Sequence, residues 1–260
     1  MPELIVRREG LIGWILFSNP TRHNAVNYEM LRSLPEAVAK HERDRAVRII
    51  AVAGGGSEHF VSGSDLSEFA GSRGSHYAAT SYEQAVEAAY EAFAACSKPA
   101  LAKIRGACVG NGISLALCCD LRMASDEARF RLPVARYGMS ASWGSLRRLV
   151  ATVGPGHAAE ILFTQRRLSA QEAQQIGLVN RVVAAHILES EFAAYCAEVS
   201  EGAPLSHAAS KRAIVESLKD PASRDLKALQ AMINACHASE DYMEGLAAFR
   251  DQRAPNFKGR

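Results

Sequence analysis

The chain has 260 residues, 48% hydrophobic and 22% charged, enough to bury one large core or two modest ones and typical of soluble globular proteins. A formal net charge of +2 gives no general case for nucleic acid or an anionic membrane as a partner. The six cysteines stand at 96, 108, 118, 119, 196 and 236; they contain no C-x-x-C, and adjacent Cys118 and Cys119 suit neither zinc nor an easy mutual disulfide. They read as small buried hydrophobes in a reducing compartment, with the cytoplasm the expected location and no metal site expected. The apolar run "LIGWILF" is too short to cross a bilayer and reads as a strand.

In chain order, Leu4–Val6, a turn at Glu9-Gly10 and Ile12–Phe17 predict a hairpin, which "NPTRHN" breaks. Asn27 can cap a helix whose apolar residues Met30, Leu31, Leu34 and Val38 recur at helical spacing, with Pro35 interrupting the pattern. "VRIIAVAG", Val47–Gly54, predicts a buried strand. The Gly/Ser/Ala-rich stretch Ala70–Ser81 reads as a loop, residues 82–96 as an Ala-rich helix, and "KPALAKIRG" as a strand opened by Pro99. A glycine turn at Gly110, an apolar helix and the strand "DLRMAS" follow, an alternation that argues for α/β architecture. Ser169 and Glu172 form an S-x-x-E capping box with a glycine stop at Gly177. Residues 186–250 read as wholly helical, broken by "EGAP" and "KDP". The chain divides on this reading into an α/β core, 1–195, and a C-terminal helical region, 196–260.

Two glycine turns carry chemical interest. In "FVSGSDL", Phe60–Leu66, Asp65 and Glu68 make a D-x-x-E capping pattern, so Gly63–Asp65 should open a helix; "GNG", Gly110 to Gly112, opens the second. Backbone N–H groups at helix N-termini favour negative charge, and two that converge would stabilise an oxyanion. Either turn alone is also what an ordinary tight turn looks like.

Taken with "NPTRHNAVN" (19–27), "HFVSGSDL" (59–66), "KPALAKIRGACVGNGISLALCCDLRMAS" (98–125), "LFTQRRLSAQEAQQIGLVNRVV" (162–183) and "AFRDQRAPNFKG" (248–259), the turns resemble the crotonase, or enoyl-CoA hydratase/isomerase, superfamily over nearly the whole chain. The resemblance implies a spiral of ββα units with a C-terminal helical region, assembled as a trimer or a dimer of trimers. It implies an acyl-CoA ligand or substrate, no other cofactor, and a thioester oxygen held between two backbone N–H groups. Those donors fall on Ser64, after Gly63, and on Asn111, after Gly110, where the family has the middle of a triple-glycine turn. Asn departs from that pattern but tolerates unusual φ. Asp65 matches a common family aspartate that holds the turn, and Leu66 and Ser67 continue along the CoA. Phe249 falls where an aromatic residue reaches a neighbour's CoA. Gln252 replaces the lysine often found three residues further on, leaving Arg22 and Lys258 as candidate phosphate contacts.

The carboxylates that the resemblance leads one to expect are missing. Family hydratases place one glutamate three residues after the middle glycine, here Ser114, and another after a proline, here Val134. Other members place an aspartate near the position of Ser142. A lone serine is too weakly acidic to serve as a base near neutrality, and valine cannot serve at all. Three readings stay open: different chemistry on an acyl-CoA, such as decarboxylation or thioester hydrolysis; a proton-transfer residue from elsewhere, among them His23, His59, Glu68 and Tyr137; or acyl-CoA binding without turnover. Ser114 and Ser142 read equally as serines bonded to backbone, and Trp143 as packing at a pocket wall or in the core.

Overall fold

The computed structural model describes residues 1–56, 58–65, 68 and 76–260. Strands β1 (Glu3–Glu9) and β2 (Ile12–Ser18) form the antiparallel hairpin, turned at Gly10 with φ +57°. β2 then pairs in parallel with β3 (Ile49–Gly54), which pairs with β4 (Ala100–Ile104). β6 (Leu121–Ser125) and β9 (Arg181–Val183) complete a six-stranded sheet of order β1-β2-β3-β4-β6-β9. A smaller sheet is made of β5 (Ala107–Val109), β7 (Arg129–Arg131) and β8 (Leu168–Ser169). Gly106, at φ +52°, separates β4 from β5, so "KPALAKIRGACV" supplies one strand to each sheet.

The pleat of β3 shows how the sheet is buried on both faces. Ile50 and Val52 point into the larger apolar cluster, with Phe17, Leu34, Phe60 and Phe93; Ile49, Ala51 and Ala53 point into a smaller one. Helix α1 (Tyr28–Arg43) is capped by Asn27, whose side chain accepts the Met30 N–H at 2.9 Å, and runs through Pro35 without ending. It covers the larger cluster together with α2 (His76–Ala95). α2 begins at His76, so residues 76–81 of the expected loop are helical; a run of alanines is the strongest helix former available, and it outweighs the serines. Residues 70–75 of that loop lie outside the described residues.

α3 (Asn111–Ala116) follows β5, and α4 (Trp143–Thr164) is kinked at Gly154. Between β8 and β9, α5 (Ala170–Gln175) carries the full capping box. Helix α6 (Leu188–Ser200) lays Leu188, Phe192, Tyr195 and Cys196 on the smaller cluster, so the division read at residue 195 falls inside a helix packed against the sheet. α7 (Pro204–Ser217), α8 (Leu226–His237) and α9 (Glu240–Arg250) complete the helical region. The sequence pattern missed the break between α8 and α9, where Ser239 accepts the Tyr242 N–H and starts a new helix. α8 buries none of its residues. Among the described residues no helix is long and apolar enough to cross a membrane. All six cysteines are free, and five are buried.

The Glu172 carboxylate accepts from the Ser169 N–H at 2.8 Å, from Arg166 and from the Ser169 hydroxyl, which together hold its pKa down at about 2. A depressed carboxylate pKa stabilises the fold above the unfolded value, about 4.3, and loses that contribution as pH falls. The denaturation midpoint gap between wild type and Glu172→Gln should therefore be full above about pH 5 and close progressively towards pH 2; a pH series of urea melts measures it.

Candidate active site

The parallel order of β2, β3 and β4 brings the segments after Ser18, Gly54 and Ile104 to one end of the sheet. There the loop "NPTRHN" is tied down by two buried asparagines. Asn24 Nδ2 donates to the carbonyls of Gly55 (2.9 Å) and His59 (2.8 Å), while Asn19 Nδ2 donates to Ala25 O at 3.0 Å. His23 and Asn24 adopt left-handed backbone, φ +51° and +60°, which asparagine tolerates well.

Both glycine turns hang from this frame. Val61 forms a parallel bridge with Cys108: its N–H donates to Ala107 O at 3.1 Å, and its carbonyl accepts from Val109 N at 2.9 Å. On the other side Val26 N donates to Gly63 O, and Asp65 N donates to Val26 O, both at 2.8 Å. Gly63 (φ +123°) and Gly110 (φ +54°) then lie against each other, for a Cβ on Gly110 would stand 3.7 Å from Gly63 Cα. Gly112 is fixed more tightly, since its Cβ would lie 2.4 Å from the Val61 carbonyl oxygen.

Ser64 and Asn111 are thereby brought together, with Asn111 Nδ2 donating to Ser64 Oγ at 2.9 Å. Asn111 is the first residue of α3 and is not among the described residues with positive φ; Gly110 takes that conformation, so the unusual φ expected at Asn111 is not required there. Asp65 is buried and pairs with Arg22, while its carbonyl accepts from Glu68 N at 3.1 Å. The Glu68 carboxylate accepts from Tyr28 N at 2.9 Å and the Asp65 N–H is directed to Val26, so this Glu ties the turn to α1; the helix expected to open here lies outside the described residues. Leu66 and Ser67, expected to run beside the ligand, lie outside the described residues.

The places without carboxylates are filled in a definite way. Ser114 is buried and accepts from Ser145 Oγ at 2.8 Å, and Ser145 is in turn hydrogen-bonded to the Tyr90 hydroxyl. Burial pushes the Tyr90 phenol well above its ordinary pKa, so it stays neutral. Ser142 caps α4, accepting the Ser145 N–H at 3.3 Å. Val134 opens a 3-10 turn and packs on the larger cluster. Trp143, the first residue of α4, is 76% exposed, so of the two expected places, a pocket wall or the core, it is not in the core. Ser145, Tyr90 and Glu87, which accepts from Gly144 N at 3.2 Å, were absent from the sequence reading. Tertiary packing of α2 on α4 brings Ser145 and Tyr90 to Ser114 and Glu87 to Gly144.

Phe249 is 88% exposed at the end of α9 and Lys258 is exposed in the C-terminal tail. Lys258 lines a cleft with Arg48, Lys98, Pro99 and His207, at the strand-starting end of β3 and β4, so within one chain it is not brought to the two turns; Arg22 is. Among the described residues, potential metal-ligating atoms of His23, Glu58 and His59 lie within 4.8 Å of one another. His59 Nδ1 accepts the Ala107 N–H at 3.2 Å, so the neutral ring carries its proton on Nε2 and has no free lone pair to offer a cation.

A largely parallel sheet, opened by an antiparallel hairpin, with paired glycine turns after its strands and helices packed on it is the crotonase fold. The chain belongs to the enoyl-CoA hydratase/isomerase family, whose model matches residues 7–260. It is 30% identical to a crotonyl-CoA hydratase of Syntrophomonas wolfei, over 98% of this chain and 97% of that one. It is also 30% identical to a 2,3-dehydroadipyl-CoA hydratase of Escherichia coli, over the full length of both. Among solved structures, an enoyl-CoA hydratase/isomerase family protein of Hyphomonas neptunium superposes with a TM-score of 0.93 at 32% identity, covering 100% of this chain and 98% of that one.

Because Gly112 presses on the Val61 carbonyl, Gly112→Ala should force the two turns apart and cost about 1–3 kcal/mol of stability. The check is the shift in urea midpoint relative to wild type.

Proposed function

We propose that this chain binds an acyl-CoA, holds the thioester oxygen between the backbone N–H groups of Ser64 and Asn111, and stabilises the enolate there without being an efficient enoyl-CoA hydratase. The observation that carries the reading is the pairing of abutting turns at Gly63 and Gly110 with Ser114 and Val134 at the places of the two hydratase glutamates. The named relatives are hydratases acting on CoA thioesters, which supports the ligand class. The buried hydroxyls of Ser114, Ser145 and Tyr90 bond to one another and supply no strong base. Losing one general acid/base typically costs about 10²–10⁴ in rate, while each oxyanion donor still contributes roughly 10²–10³. Decarboxylation, which makes an enolate without removing a proton, thioester hydrolysis, and binding without turnover are the alternatives. The expected compartment is the cytoplasm.

The proposed assembly is a trimer or a dimer of trimers. It is supported by an apolar surface that one chain leaves uncovered: Ile214, Leu226, Met243, Leu246 and Phe249 are between 51% and 88% exposed on α7 to α9. Burying such a face against a second copy stabilises both chains. Light scattering at micromolar concentration should give a trimer or hexamer, and a monomer alone would refute the assembly.

Calorimetry should detect acyl-CoA binding, with crotonyl-CoA hydration well below the median enzyme rate of about 10 s⁻¹; hydration at or above that rate would show that the acid/base is intact. If the protein turns over any acyl-CoA of a malonyl-type, enoyl and β-keto panel, Asn111→Pro should slow it by roughly 10²–10³. Proline is accommodated at the first position of a helix, so circular dichroism should be preserved. Asn111→Ala, which removes only the side-chain contact to Ser64, should change turnover far less. For a protein that only binds, Asn111→Pro should weaken acyl-CoA by no more than about 0.5–1.5 kcal/mol.

A further inference from the structure

The fold carries a carboxylate to the start of α4, next to the serine that bonds Ser114, by a route the motifs do not encode. Glu87 lies on α2, and its Oε1 accepts the Gly144 N–H at 3.2 Å, at the start of α4. The approach is close: a Cβ on Gly144 would stand 2.3 Å from Glu87 Oε2. The next residue, Ser145, donates to Ser114 at 2.8 Å, and Ser114 lies one helical turn beyond Asn111 on α3. Tyr90, one turn beyond Glu87 on α2, bonds to the same Ser145. α2, α3 and α4 therefore meet at one wall, with Glu87 on it and only partly buried. The Arg148 guanidinium packs over the Tyr90 ring at 5.4 Å and donates to the Tyr90 carbonyl at 3.0 Å, which fixes the same stretch of α2 against α4.

Resting on the acyl-CoA reading above, we propose that Glu87 is the single acid/base of this site, supplied from a different element than the two missing glutamates. Its carboxylate takes a proton from the carbon next to the thioester carbonyl. The C–H bond breaks, its electron pair becomes the enolate double bond with the charge on the thioester oxygen, and an O–H bond forms on Glu87. The reverse step returns a proton to the same carbon, or to the γ carbon of an unsaturated chain. Neither step needs a further reactant. The missing Cβ of Gly144 leaves room for the carboxylate arriving from α2. The chemistry that fits is proton exchange or double-bond migration along an acyl chain, rather than addition of water, which calls for a second acid/base across the substrate.

The test uses 3-butenoyl-CoA with the full-length protein in deuterium oxide, following deuterium uptake and crotonyl-CoA by mass. Wild type should incorporate deuterium. Glu87→Gln keeps a carbonyl oxygen for the Gly144 N–H; it should melt like wild type, bind 3-butenoyl-CoA within about threefold, and exchange roughly 10²–10⁴ more slowly. Glu87→Asp, which keeps the charge but shortens the reach, should also lose exchange, by about tenfold or more, and carries the test if the glutamine variant does not fold. A glutamine variant that exchanges at the wild-type rate, or a wild type that binds the thioester without exchanging it, would overturn the assignment and leave the acyl-CoA site standing. A wild type that does not bind 3-butenoyl-CoA would overturn both.

Discussion

The site depends on one backbone contact. Val61 is bridged to Cys108, and Gly112 rests on the Val61 carbonyl with no room for a Cβ. That contact places two separate strand-to-helix connections edge to edge, and everything proposed about an oxyanion follows from it. The asparagines at 19 and 24 serve the same end from the other side by fixing the loop whose Val26 pairs with Gly63 and Asp65. Arg22 leaves this loop to neutralise the buried Asp65, so its guanidinium is positioned by an ion pair. The geometry is held by main-chain bonds and glycine contacts, which is why side chains at the reacting positions can change without moving the turns.

The serines near the turns have a physical pattern. Ser114 is buried, and its hydroxyl accepts from Ser145, which is bonded in turn to Tyr90. A buried polar group is tolerated when it is bonded. Ser142, the other serine near an expected carboxylate, is consumed as the cap of α4. The hydroxyls of Ser114, Ser145, Tyr90 and Ser142 are thus all hydrogen-bonded, and the carboxylate beside them, Glu87 on α2, accepts from Gly144 N.

The hairpin, the helix capped by Asn27, the buried strand at 49–54, the capping box at Ser169 and both glycine turns were legible because each rests on short-range rules of period, cap and turn. The start of α2 was not: the serines and glycines before His76 point to a loop while the alanines after it favour a helix. The break at Ser239 was hidden because α8 and α9 are separated by only Ala238 and Ser239, without the Pro or Gly that marks the earlier breaks. That Ser114 and Val134 stand where the resemblance puts glutamates is a reading of motif spacing alone. The hydrogen-bond network of Ser114 was not legible, because Ser145 and Tyr90 reach it through packing between elements distant in sequence.

The most direct measurement of the central claim is the carbonyl stretch of bound ligand. An isotope-edited infrared difference spectrum of butyryl-CoA, carbon-13-labelled at the thioester carbonyl, reports the field at that oxygen. Two converging N–H donors should move the stretch to lower wavenumber on binding, and Asn111→Pro should recover part of the shift. A carbonyl stretch in the saturated complex that matches free butyryl-CoA in water, or moves to higher wavenumber, would contradict the account.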